Sequence, residues 1–144
     1  MKYLKGLLAA VAMTGMFSSV MTATPSARAG SNTCKDVKFK FTNSHRDGRD
    51  IKVVKVEHFS AHDRKWRTED VADETCSQGR TCTTNGDNLA GVEARDISKV
   101  KFHYKVKDAA GNWTATIVGG EKAVSAAQQE CRAGAIYGPW AITG

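Results

Sequence analysis

The chain has 144 residues and a formal net charge of +6; 41% of its residues are hydrophobic and 25% are charged. This balance excludes a disordered or collagen-like chain. The length and pattern also exclude a multidomain enzyme, a Rossmann-type nucleotide binder and a polytopic membrane protein.

The first 29 residues have the three regions of a secretory signal peptide. Two lysines lie near the start, residues 7–20 are apolar, and Ala27 and Ala29 occupy the −3 and −1 positions of a cleavage site. The apolar run is too short to span a bilayer, so we expect no transmembrane helix. The sequence predicts a single mature domain, residues 30–144, in the bacterial periplasm or the extracellular space. With three basic residues removed, it keeps 18 Lys and Arg against 15 Asp and Glu, a net charge of +3.

The mature part contains all four cysteines. An even number in an exported domain indicates two disulfides. Of the three pairings, we favour Cys34–Cys131 with Cys76–Cys82, because the second pair closes a short loop rich in turn residues. A four-cysteine zinc site is disfavoured because neither pair has C-x-x-C spacing and because the export route is oxidising. We therefore expect no cofactor.

Alternating apolar residues predict strands in the first half of the chain. Residues 37–41 alternate apolar side chains with lysines. Residues 51–59 are rich in β-branched residues but change phase at Val54, which predicts a β-bulge or burial on both faces. Residues 64–68 are expected to form the return strand, with Trp66 pointing inward.

The stretch from residue 70 to residue 97 has few apolar residues and several turn signals. It predicts a long connection pinned by Cys76–Cys82, with room for one short strand at residues 89–92.

The strongest strand signal covers residues 100–106. Turn residues 108–112 follow, and Trp113, Ala115 and Ile117 continue the alternation, which predicts a hairpin.

The C-terminal part predicts one helix and one strand. Ser125 and Gln128 have capping-box spacing, and Gly134 is placed to end a helix that holds Cys131. Residues 135–143 predict a last strand at a sheet edge, because Pro139 cannot donate a ladder hydrogen bond. Together the segments predict an all-β fold, a small antiparallel β-sandwich with at most one short C-terminal helix.

One predicted strand carries basic groups at alternate positions, which extended geometry places on one face. They are Lys99, Lys101, His103, Lys105 and Lys107. Such a face would attract an anionic envelope polymer or a membrane surface. The alternative is an ordinary solvated face, or lysines that protect an edge strand. Nucleic acid is disfavoured because the neighbouring aromatics, Phe102 and Tyr104, point the other way.

The densest group of possible metal-ligating or acid/base side chains comprises His58 and His62, with Glu57 and Asp63 beside them. This cluster predicts, as an alternative function, a metal-dependent enzyme or a metal-binding protein. Two points argue against a zincin-like site. The segment is predicted to be a strand that leads into a turn, and it lacks the Glu that follows the first His of a zincin motif.

Aromatic residues offer a further alternative. Trp66 and Trp113 are expected in the core, whereas Tyr137 and Trp140, on either side of a Gly-Pro pair, are the better candidates for exposure. Exposed aromatics there would suit a partner, a sugar or, in a toxin-like protein, a lipid surface.

No nucleophile motif or phosphate-binding loop is present. The sequence therefore favours an exported binding module that acts without catalysis. Its ligand would be a partner protein, as for an inhibitor, or an anionic envelope component. The binding surface would be the lysine-rich face or the loop closed by Cys76 and Cys82.

Overall fold

The computed structural model describes residues 34–71, 73–89 and 97–144, so the predicted leader lies outside the described residues. The strands in this part are β1 (Lys38–Asn43), β2 (Ile51–Ser60), β3 (Lys65–Glu69), β4 (Glu74–Cys76), β5 (Thr81–Thr83), β6 (Ile97–Val106), β7 (Ile117–Val118), β8 (Lys122–Ala123) and β9 (Ile136–Ile142). A single 3₁₀ turn covers Ala126–Gln128. Within the described ranges, no helix is long and apolar enough to cross a membrane.

The strands form two sheets. The larger has the order β3-β2-β6-β7, with β4 also paired to β2 and β8 to β6; the smaller has the order β5-β1-β9. Phe41 of the small sheet packs on Phe102 of the large sheet, with ring centroids 5.7 Å apart. The predicted all-β fold is confirmed, and its pairings are antiparallel except that β1 and β9 run parallel.

The side-chain alternation of β2 and β6 explains the core. Val100, Phe102 and Tyr104 of β6 are buried, while the residues between them are at least partly exposed. In β2 the register shifts between Val53 and Lys55, so a bulge at Val54 returns Val56 to the core. The predicted β-bulge is confirmed.

Both predicted disulfides are present, Cys34–Cys131 and Cys76–Cys82. Cys76 ends β4, which pairs with β2 of the large sheet, and Cys82 lies in β5, which pairs with β1 of the small sheet. The short disulfide loop therefore links the two sheets. Two disulfides are compatible with an exported protein.

The predicted connection at residues 70–97 contains more structure than expected, since both β4 and β5 lie within it. Each is only three residues long, below the length at which alternation is visible in a sequence. Of the short strand expected at residues 89–92, only Leu89 is described, and it is buried.

The predicted hairpin after β6 is present, but its return strand is interrupted. Asp108 organises the turn by accepting hydrogen bonds from the backbone of Gly111 and Asn112. Trp113 bridges to Lys107, and regular pairing with β6 resumes only at Ile117.

The predicted C-terminal helix is wrong beyond one turn. The carbonyl of Gln129 accepts a hydrogen bond from Ile97, at 2.8 Å, so it is held by a strand and not by a continuing helix. The edge strand β9 is confirmed, with Pro139 opposite a register shift in its pairing with β1.

Candidate binding face

The large sheet turns one face toward the small sheet and one face away; we call the second the outer face. Lys99, Lys101, His103 and Lys105 of β6 all lie on it, as the alternation predicts. Cross-strand pairing adds side chains from β2 and β3. These are Lys52, Lys55, Glu57, Phe59, Trp66 and Thr68. Lys107 continues the row just beyond β6, opposite Trp113.

Carboxylates accompany the β6 cations. Glu57 lies opposite Lys101 in the sheet, with its carboxylate 3.7 Å from the Lys101 Nζ and 3.0 Å from the His103 Nε2. Glu121 approaches the Lys99 Nζ at 2.9 Å and the Lys101 Nζ at 3.8 Å. The hydrogen bond from Lys99 lowers the pKa of Glu121.

The lysines of β2 are paired in the same way. The Lys52 Nζ lies 3.1 Å from Asp73, and the Lys55 Nζ lies 3.0 Å from Asp70. The outer face is therefore a surface of alternating charge sign. Among the β6 lysines of this face, Lys105 makes no side-chain hydrogen bond or ion pair with a described residue.

Two tryptophans contribute to this face, contrary to the prediction that both point inward. The Lys101 Nζ lies 4.0 Å from the ring centroid of Trp66, and the Lys52 Nζ lies 4.8 Å from that of Trp113. Trp66 also packs on Phe59, its cross-strand partner, with ring centroids 5.2 Å apart. Both tryptophans are half-buried. The sequence around Trp66 offers no apolar alternation, so only the pairing with β2 fixes which way this residue points.

The predicted exposure of Tyr137 is wrong. The residue is 1% exposed, and its ring stacks on that of Phe39 with centroids 5.8 Å apart. Its hydroxyl donates a hydrogen bond to the carbonyl of Glu130. Trp140 is half-buried against Phe102, and its Nε1 donates to the carbonyl of Ala123 at 2.9 Å. These two residues are part of the packing of β9, which leaves the toxin-like alternative without its exposed aromatic pair.

The histidine cluster is divided between the interior and the surface. His58 is fully buried, with its Nε2 3.0 Å from a carboxylate oxygen of Glu69, whereas His62 is exposed in the turn after β2. Asp63 pairs with both terminal nitrogens of Arg67, and this hydrogen bonding holds the pKa of Asp63 well below its usual range. The described ranges hold no group of three His, Cys, Asp or Glu side chains that could bind a metal ion.

Sequence reasoning missed Glu57 and Glu121 as members of the outer face. Glu57 lies on the same side of β2 as Phe59, so the alternation of that strand was a usable signal. Glu121 lies in the connection between β7 and β8, and no periodicity places it beside Lys99.

Comparison of the chain with protein-family models, with curated proteins and with solved structures finds no match.

Proposed function

We propose that this protein is a non-catalytic, exported binding module and that its outer face binds a partner protein. The observation that carries this proposal is the pairing of half-buried tryptophans with ion-paired lysines on one side of the large sheet. The partner surface would carry both acidic and basic side chains around an apolar centre, in register with the alternating charges of this face.

The composition of the face favours a protein over an anionic polymer. A polyanion binds through cations that are free to release their counterions. Here Lys52, Lys55, Lys99 and Lys101 already lie close to carboxylates of the same chain. Aromatic residues are enriched at protein interfaces, and charge complementarity between the two partners gives specificity there.

The dimensions of the face also suit a protein partner. β2 and β6 have ten residues each. At roughly 3.3 Å per residue they are about 33 Å long, and three strands about 4.8 Å apart give an area on the order of 400 Å². This is about half of the 800 Å² that one partner commonly contributes to a specific interface, and neighbouring loops can supply the rest.

Site-specific photo-crosslinking in the producing cell tests the proposal. A photoreactive phenylalanine analogue is placed at one of three exposed positions: Thr68 on the outer face, Gln78 in the disulfide loop, or Ala141 on the small sheet. We expect a discrete protein adduct from Thr68 and none from Ala141. Trp66→Ala in the Thr68 background should reduce the adduct at least several-fold.

Each other outcome contradicts the proposed site. An adduct from Gln78 alone would move binding to the Cys76–Cys82 loop. Equal adducts from all three positions would indicate non-specific contact. A Thr68 probe that crosslinks only to lipid or polysaccharide would replace the partner protein with an anionic envelope component.

A further inference from the structure

A groove runs along the open side of the sandwich, between the edge strands β7 and β9. Phe102 and Tyr104 of β6 contribute to its lining, together with Ile117 and Val118 of β7 and Ile142 at the end of β9; its volume is about 350 Å³. This is within the size range of clefts that hold small molecules.

One large apolar side chain of the groove lining is exposed to solvent. Ile117 is 38% exposed and lies opposite Tyr104 in the pairing of β7 with β6, on the groove side, whereas Val118 lies opposite His103, on the side of the outer face. An exposed isoleucine beside the buried Phe102, Tyr104 and Ile142 gives the concave surface an apolar wall suited to an apolar group.

The groove continues into a second depression of about 260 Å³, since the two share Tyr104, Ile117 and Gly144. The residues that line this second part include Arg46, Arg49 and Asp47, together with His45. Both arginines are exposed, and neither guanidinium makes a hydrogen bond or ion pair with a described residue. Lys122 lines the apolar part, so the two depressions together are lined by three Lys and Arg residues and one acidic residue.

The loop that carries the arginines is held in place by a buried amide. The Asn43 Nδ2 donates to the carbonyls of Arg49 and Cys76, each at 2.8 Å, and its Oδ1 accepts from the His45 backbone. The backbone of Arg46 also donates to Thr143 beside β9. The backbone that carries the two arginines therefore has little ordering left to do on binding, and the ordering cost falls on the arginine side chains.

We propose that this groove binds a small amphipathic carboxylate, with the aliphatic body against Ile117 and Ile142 and the carboxylate at Arg46 and Arg49. Guanidinium groups are well suited to carboxylates because their planar donors match the two oxygens. The site is separate from the outer face, so it goes beyond the proposed partner-protein function and can fail independently of it.

The test uses decanoate, below its micellar concentration, in a titration of the ¹⁵N-labelled protein followed by NMR. Decyltrimethylammonium and 1-decanol are the head-group controls. We expect saturable shifts for decanoate, concentrated around β7 and residues 142–144, and at least tenfold weaker binding of the ammonium compound.

Variants test which end of the groove holds the carboxylate and which end holds the aliphatic chain. Arg46→Gln with Arg49→Gln should weaken decanoate binding by about tenfold or more, the loss expected from a charge-assisted hydrogen bond, and should leave decanol binding unchanged. Arg132→Gln, at an exposed arginine outside the groove, is the matched control. Ile117→Asp, on the groove side of β7, should weaken the binding of decanoate and decanol alike.

Three results would overturn the proposal: no saturable shift with decanoate, equal affinity for the ammonium compound, or unchanged decanoate binding by the double arginine variant. The spectrum of each free variant shows whether it is folded. If the double variant is not folded, the single Arg46→Gln and Arg49→Gln variants apply the same criterion.

Discussion

Lys101 lies over the indole ring of Trp66, with its Nζ 4.0 Å from the ring centroid and 3.7 Å from the carboxylate of Glu57. Lys105, four residues further along the same strand and on the same face, makes no such contact with a described residue. We expect Lys101→Gln to lower the free energy of unfolding by about 1 kcal/mol, because it removes a cation–π contact and an ion pair that are both partly shielded from water. Lys105→Gln should change it by less than about 0.5 kcal/mol. Urea unfolding of the two variants gives the comparison, and equal values would mean that the Trp66 contact contributes nothing to stability.

The two disulfides should differ in their contribution to stability. Cys34 and Cys131 are 97 residues apart, whereas Cys76 and Cys82 are six apart. In the chain-entropy description the longer loop contributes about 4.7 kcal/mol and the shorter about 2.4 kcal/mol. Replacing each pair with serines and measuring urea unfolding checks the order. A larger loss from the Cys76–Cys82 pair would show that its link between the sheets matters more than loop length.

Asp63 should make stability depend on acid pH. Hydrogen bonds from Arg67 keep the pKa of Asp63 lower in the folded protein than in the unfolded chain. Between the two pKa values the unfolded chain binds more protons, so stability rises with pH there and is lost as the pH falls through about 4 and below. We expect the urea midpoint of Asp63→Asn to depend less on pH than that of the wild type between about pH 5 and pH 2. Asp50→Asn is the control, and an identical pH profile for wild type and Asp63→Asn would contradict the assignment.

Alanine substitutions at His58 and at His62 should differ in their effect on stability. His58 is buried against Glu69, so His58→Ala should cost about 3 kcal/mol by leaving a cavity and an unpaired carboxylate. His62 is exposed, and His62→Ala should stay within about 0.5 kcal/mol of the wild type. Thermal unfolding with and without zinc completes the test. A zinc-dependent rise in the melting temperature that both variants abolish would restore the metal-site alternative.

Some features were predictable because they depend only on neighbours along the chain. The alternation of residues 100–106 indicated β6 and placed Lys99, Lys101, His103 and Lys105 on one face. The phase change at Val54 indicated the bulge in β2. The short loop between Cys76 and Cys82 favoured one disulfide and left the other two cysteines for the second.

Other features depend on residues that are distant in sequence. Trp66 is on the outer face because β3 pairs with β2 in a register that sets it opposite Phe59, and the groove exists because the unpaired edges of β7 and β9 border the same opening. Part of the positive charge of the outer face is balanced by Glu121, which reaches Lys99 from the connection between β7 and β8. A sequence determines which side chains alternate within a strand, but the partner, register and edge position of that strand come from tertiary packing. For this protein the local pattern determined the fold class and the lysine row, and only tertiary structure decided what surrounds that row.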